Sequence, residues 1–107
     1  MGTLRVILFV SSNCVHCPKA EKVAEKVMPD YYQHGLTFRK ARTRGGEGKQ
    51  LARQFDIRGV PAMVFLDDGG NEVRRITGVP SEQNLRKDIE KQLGLRKKSF
   101  LGRLFGG

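Results

Sequence analysis

Cysteine is scarce in this sequence: Cys14 and Cys17 are the only two among 107 residues. A bridge between positions so close restrains the unfolded chain very little, which excludes a disulfide framework and points to reactivity instead. Long apolar runs are also missing. The longest, Val6 to Val10 with Leu4 beside it, falls far short of the ~20 residues that a membrane-spanning helix needs. Nor does it read as a secretory signal, because no small-residue cleavage pattern follows a charged start. A cytoplasmic protein is expected. Aromatic residues make up only 7% of the chain, and the basic residues are scattered rather than interleaved with them, so nucleic acid is not an expected partner. Acidic residues are few, 11 against 20 Lys plus Arg, leaving a net charge of +9. That excess favours acidic protein surfaces as partners.

Hydrophobic residues account for 38% and are joined by 13 glycines, close to the globular norm, and the length suits one domain with one modest core. Leu4 to Val10 reads as a fully buried strand, being almost wholly apolar and rich in β-branched and aromatic residues. Ala20, Val23, Ala24, Val27 and Met28 lay one stripe along a helix that Pro29 stops. Leu36 to Thr43 alternates enough to be a second strand, and the glycine-rich stretch Arg44 to Lys49 reads as a loop. A short helix from about Glu47 to Phe55 directs Leu51, Ala52 and Phe55 inward. Ala62 to Leu66 has strand length and composition, and Asp67 to Gly70 suits a hairpin turn. The return strand Asn71 to Thr77 carries Glu72, Arg74 and Arg75, charges that suit an edge. Ser81 caps a last helix with Leu85, Ile89 and Leu93 on its buried stripe, and Gly94 ends it.

The order β-α-β-α-β-β-α predicts an α/β domain over residues 1–94, with a central four-stranded mixed sheet flanked by three helices on both faces. Residues 95–107 form a separate tail. There Arg96, Lys97, Lys98 and Arg103 accompany Phe100, Leu101, Leu104 and Phe105, a pattern that suits either a basic amphipathic helix for an anionic membrane or an acidic partner, or a frayed end. Gly102, Gly106 and Gly107 favour the frayed end over membrane contact.

Cys14-Val15-His16-Cys17 stands between a buried strand and a helix start. A bare Cys-x-x-Cys says little; its place says more. Unpaired N–H groups and the macrodipole at a helix N-terminus stabilise an anion, so Cys14 is expected to ionise below the ~8.5 of a free cysteine. The thiolate is the nucleophile, and Cys17, three residues on, lies within reach to resolve a mixed disulfide. His16 either adds a positive charge or donor beside the sulfurs, making the pair more oxidising, or is an exposed loop histidine. Pro18 is tolerated in the opening turn of a helix and allows regular helix to start at Cys17. Pro61 takes the one place open to it, just ahead of a strand, and composition leaves the Val60–Pro61 bond open between cis and trans.

The segment Phe55-Asp56-Ile57-Arg58-Gly59-Val60-Pro61-Ala62-Met63-Val64-Phe65-Leu66 resembles the stretch around the cis-proline of the thioredoxin superfamily. The Cys-x-x-Cys, its distance before the proline, the Asp67 to Gly70 turn and Gly78 before the last helix fit as well, over roughly Leu4 to Leu93. The resemblance implies a thioredoxin-like fold and a thiol-disulfide oxidoreductase in which Cys14 attacks, Cys17 resolves and a cis Pro61 lies against the pair. It further implies that Val60, Pro61 and Gly78 bind an extended protein substrate, that no cofactor is needed, and that an unidentified thiol reductant system serves the pair. A monomer is expected.

Three features depart from the family pattern. Thioredoxins proper place a tryptophan beside the first cysteine and an aspartate in the preceding strand, where this chain has Asn13 and Leu8. The family's extra N-terminal strand and helix have no counterpart ahead of Leu4, as in glutaredoxin-like minimal versions. Lys40 falls where thioredoxins carry a lysine near the site but reads here as a solvated strand residue. Cys-x-His-Cys is similar to the pair of protein disulfide isomerases. Two alternatives remain open: a redox-inert adaptor of this fold, and a module in which Cys14 and Cys17 hold a soft metal ion, although His34 is the only other histidine. The glycines of Arg44 to Lys49 lack the spacing of a phosphate cradle.

Overall fold

A computed structural model describes residues 3–95. The chain runs β1 (Leu4–Val10), α1 (Cys17–Val27), a 3-10 helix (Met28–His34), β2 (Leu36–Arg42), α2 (Gly46–Gln54), β3 (Ala62–Leu66), β4 (Glu72–Thr77) and α3 (Glu82–Leu93). The strands form one sheet in the order β2-β1-β3-β4. β2 lies parallel to β1, while β3 and β4 continue antiparallel, giving the mixed sheet and the edge position of β4 that the sequence predicts.

Every residue of β1 except Arg5 is buried because its two sets of side chains enter two cores. Leu4, Val6, Leu8 and Val10 join Cys17, Ala20, Ala24 and Val27 of α1 with Leu85 and Ile89 of α3. Ile7 and Phe9 face the other way, onto Ala41, Ala62, Val64 and Leu66, where Leu51, Ala52 and Phe55 from α2 and its end pack against them. The last helix is capped as expected: the Ser81 hydroxyl accepts the Asn84 N–H at 3.1 Å, and Gly94 closes the helix in the left-handed region.

Several boundaries differ from expectation. α1 ends at Val27, yet Pro29 does not stop helical structure. The chain tightens into the 3-10 helix, where a proline in the opening positions lacks an N–H that would have no acceptor anyway, and Gly35 at φ 96° ends it. The glycine-rich stretch predicted as a loop supplies the first turn of α2, which starts at Gly46. Gly48 lies so close to the end of β2 that a Cβ there would stand 1.8 Å from the Arg42 carbonyl oxygen. Only a residue without a side chain brings α2 this near the strand. Asn71 belongs to the hairpin turn rather than to β4, since its N–H and that of Gly69 both donate to the Asp67 carboxylate at 2.9 Å. Residues 96–107 of the predicted tail lie outside the described residues, while Leu95 packs against the larger core.

Candidate functional site

Strand ends position the site. β1 finishes at Val10, and the chain turns at once, the Cys14 N–H donating to the Ser11 carbonyl at 3.3 Å. His16 is the N-cap of α1 and Cys17 its first residue, followed by Pro18. Regular helix thus begins at Cys17, as Pro18 allows, and Cys14 stands just ahead of it. The two cysteines are joined as a disulfide with Cα atoms 5.4 Å apart. Their surroundings differ. Cys17 is 1% exposed and part of the larger core, whereas Cys14 is half-buried and packs on that core from outside. No acidic residue occupies the first turn of α1, and Val15 between the cysteines is 84% exposed. His16 is exposed too and makes no side-chain capping bond.

The second half of the site comes from the start of β3. Phe9 pairs with Ala62, so Pro61 sits beside the end of β1, from which the cysteine turn departs. The Val60–Pro61 bond is cis. Pro61 is buried, and its carbonyl accepts the Gly78 N–H at 2.9 Å. Gly78 has φ 85°, a backbone form suited to glycine, and it ties the end of β4 to the proline. Among the described residues, neither backbone polar group of Val60 has a partner in the chain, and its side chain packs against both cores. Thus Cys14, Cys17, Val60, Pro61 and Gly78 gather at one end of the sheet, with His16 at its outer edge.

Other residues fall elsewhere. Lys40 is the solvated strand lysine expected, exposed on β2, and its ammonium reaches Glu21 at 3.2 Å and Glu25 at 3.6 Å on α1. The hydrogen bond to Glu21 raises its pKa above the ordinary value. His34 lies in the 3-10 helix, its ring 6.3 Å from that of Tyr31. Arg75, anticipated only as an edge charge, holds the loop that leads to Pro61. Its guanidinium donates to the Phe55 carbonyl at 2.5 Å and is fixed in turn by Glu72 at 2.7 Å. That bond keeps the Glu72 carboxyl below its usual range. The sequence signal was present, since Glu72 and Arg75 stand on one strand, but the carbonyls that Arg75 serves are fixed only by the fold.

No motif in the sequence marks Arg44 or Arg58. With Ser11, Thr43, Ile57 and Val60 they line a groove of about 190 Å³ beside the cis-proline.

Known proteins match this arrangement. The family model described as Thioredoxin-like domain matches residues 2–93. A probable thioredoxin of Archaeoglobus fulgidus is 41% identical over 87 residues, which are 81% of this chain and 87% of that protein. A protein disulfide-isomerase of Ricinus communis is 29% identical over 91 residues, covering 83% of this chain and 18% of that longer protein. Among solved structures, the thioredoxin of Malassezia sympodialis superposes with a TM-score of 0.74 at 23% identity, over 85% of this chain and 76% of that one.

Proposed function

The chain belongs to the thioredoxin-like family, and on that premise we propose how its residues divide the work of a thiol-disulfide oxidoreductase. Cys14 is the attacking sulfur and Cys17 the resolving one. The observation that carries this assignment is the contrast in burial: Cys14 reaches the surface, and Cys17 is enclosed at the first residue of α1. In the reduced pair, the open N–H groups at the start of α1 favour negative charge on sulfur. The Cys14 thiolate attacks one sulfur of a substrate disulfide, forming a mixed disulfide and releasing the other substrate sulfur as a thiolate. The Cys17 thiolate then attacks the Cys14 sulfur, and the second substrate thiolate leaves. Two electrons have passed to the substrate, and the protein holds the Cys14–Cys17 bridge seen here. A thiol reductant reverses the sequence.

Val60 offers its unpartnered backbone groups to an extended protein substrate, and Gly78 holds Pro61 in place beneath it. His16 modulates the sulfurs from the solvent side. Among the described residues no helix is long and apolar enough to cross a membrane; we place the protein in the cytoplasm as a monomer. Turnover of insulin disulfides by the reduced protein tests the assignment. Cys14→Ser is expected to abolish turnover, and Cys17→Ser to stop at a covalent adduct detectable by mass. Wild-type turnover in Cys14→Ser overturns the assignment of the nucleophile.

A further inference from the structure

The groove beside Val60 is not isolated. Its residues Thr43 and Ile57 also line a second depression of about 330 Å³, which continues along α2 past Lys49, Ala52 and Arg53. The furrow so formed has an apolar floor at Ile57 and Ala52, hydroxyls from Ser11 and Thr43, and four cationic side chains, Arg44, Arg58, Lys49 and Arg53. Its one carboxylate, Asp56, faces Arg58 Nε at 3.3 Å, and both side chains are largely exposed, Asp56 at 74% and Arg58 at 85%. Arg44, Lys49 and Arg53 have no ion-pair partner among the described residues, although most of the chain's other acids are engaged in ion pairs. Unpaired cations lining a furrow that opens beside the substrate-facing backbone create a local positive potential.

We propose that this furrow is a subsite for acidic segments of the substrate: a stretch bearing Asp or Glu next to the reactive disulfide lies along it while the disulfide faces Cys14. The inference rests on the assignment of Cys14, Cys17 and Val60 above, and it names the class of protein that the site prefers. Carboxylates reaching the guanidinium groups form charge-assisted hydrogen bonds, and the long-range field raises the encounter rate before contact. Because the furrow is open to solvent, salt weakens both effects.

The test uses two synthetic peptides with the same internal disulfide, one flanked by a run of Glu and the other by a run of Gln. The readout is the ratio of their kcat/KM values with the full-length reduced protein. At low salt the acidic peptide is expected to be preferred by about tenfold, from several exposed pairs and steering together, and the ratio is expected to shrink as salt is added. R44Q/R58Q is expected to bring the ratio to near unity. K87Q/K91Q removes equal charge from exposed positions on α3 and is expected to keep the wild-type ratio. Equal rates for both peptides at low salt, or an undiminished ratio in R44Q/R58Q, overturn the subsite while leaving the cysteine assignment intact. If the wild-type protein exchanges neither peptide, the cysteine assignment falls and the subsite falls with it.

Discussion

The two faces of the sheet share strand β1 but are covered very differently. On one side α1, the 3-10 helix and α3 enclose a cluster that includes Leu8, Met28, Phe65, Leu85 and Ile89, all with 0% exposure. On the other side α2 alone lies over a smaller cluster, and none of its own residues is fully buried. A cleft of about 300 Å³ remains between α2 and the sheet, with Ile7, Phe38 and Leu66 lining it beside the exposed Arg5 and Arg39. The first face thus resembles a closed interior, while the second is held by partial burial and by polar ties such as Arg75 to the Phe55 carbonyl. The reacting pair belongs to the closed side through Cys17, and the furrow belongs to the open side.

The contrast is sharpest where it is tested by cavities. Leu85→Ala on the closed face is expected to cost about 3 kcal/mol, since a fully enclosed leucine leaves a hole its neighbours only partly fill. The urea midpoint reads this directly. Phe55→Ala on the open face is expected to cost about 2 kcal/mol, half of what a fully buried phenylalanine loses. Phe55 is half-buried and its ring stands 6.4 Å from that of Phe9. Equal costs for the two substitutions overturn the distinction between the faces.

The smallest effect concerns the polar tie. The folded pKa of Glu72 is depressed by its hydrogen bond to Arg75, so its contribution to stability is present above the ordinary value of 4.5 and is lost as the pH falls through the lower folded value. Glu72→Gln is therefore expected to lower stability at pH 7 by less than about 1 kcal/mol. Its difference from wild type is expected to vanish in strong acid, as denaturation curves at the two pH values will show.

These faces were not equally legible in the sequence. β3 is an unbroken apolar run and β1 is one interrupted only by the exposed Arg5, so both strands were visible as strands in the sequence. The caps of α3 were readable because Ser81 and Gly94 act through local backbone geometry. On the open face the signals were weak. Glycines 45, 46 and 48 read as a loop, and only the close approach of Gly48 to Arg42 explains why one of them lies in the first turn of a helix. The cysteine pair and Pro61 were visible as motifs. The furrow was not, because Arg44, Lys49, Arg53 and Arg58 sit on a strap, a helix and the loop after it, and only the fold sets them along one channel.

Gly48 has a consequence for that furrow. A methyl group at this position would act as a wedge between the first turn of α2 and the strand beneath it. The short strap of residues 43–45 joins the two and carries Arg44, so prying the helix upward would tilt one wall of the channel before any core side chain was disturbed. The seat of α2 against the end of β2 thus depends on a side chain that is not there.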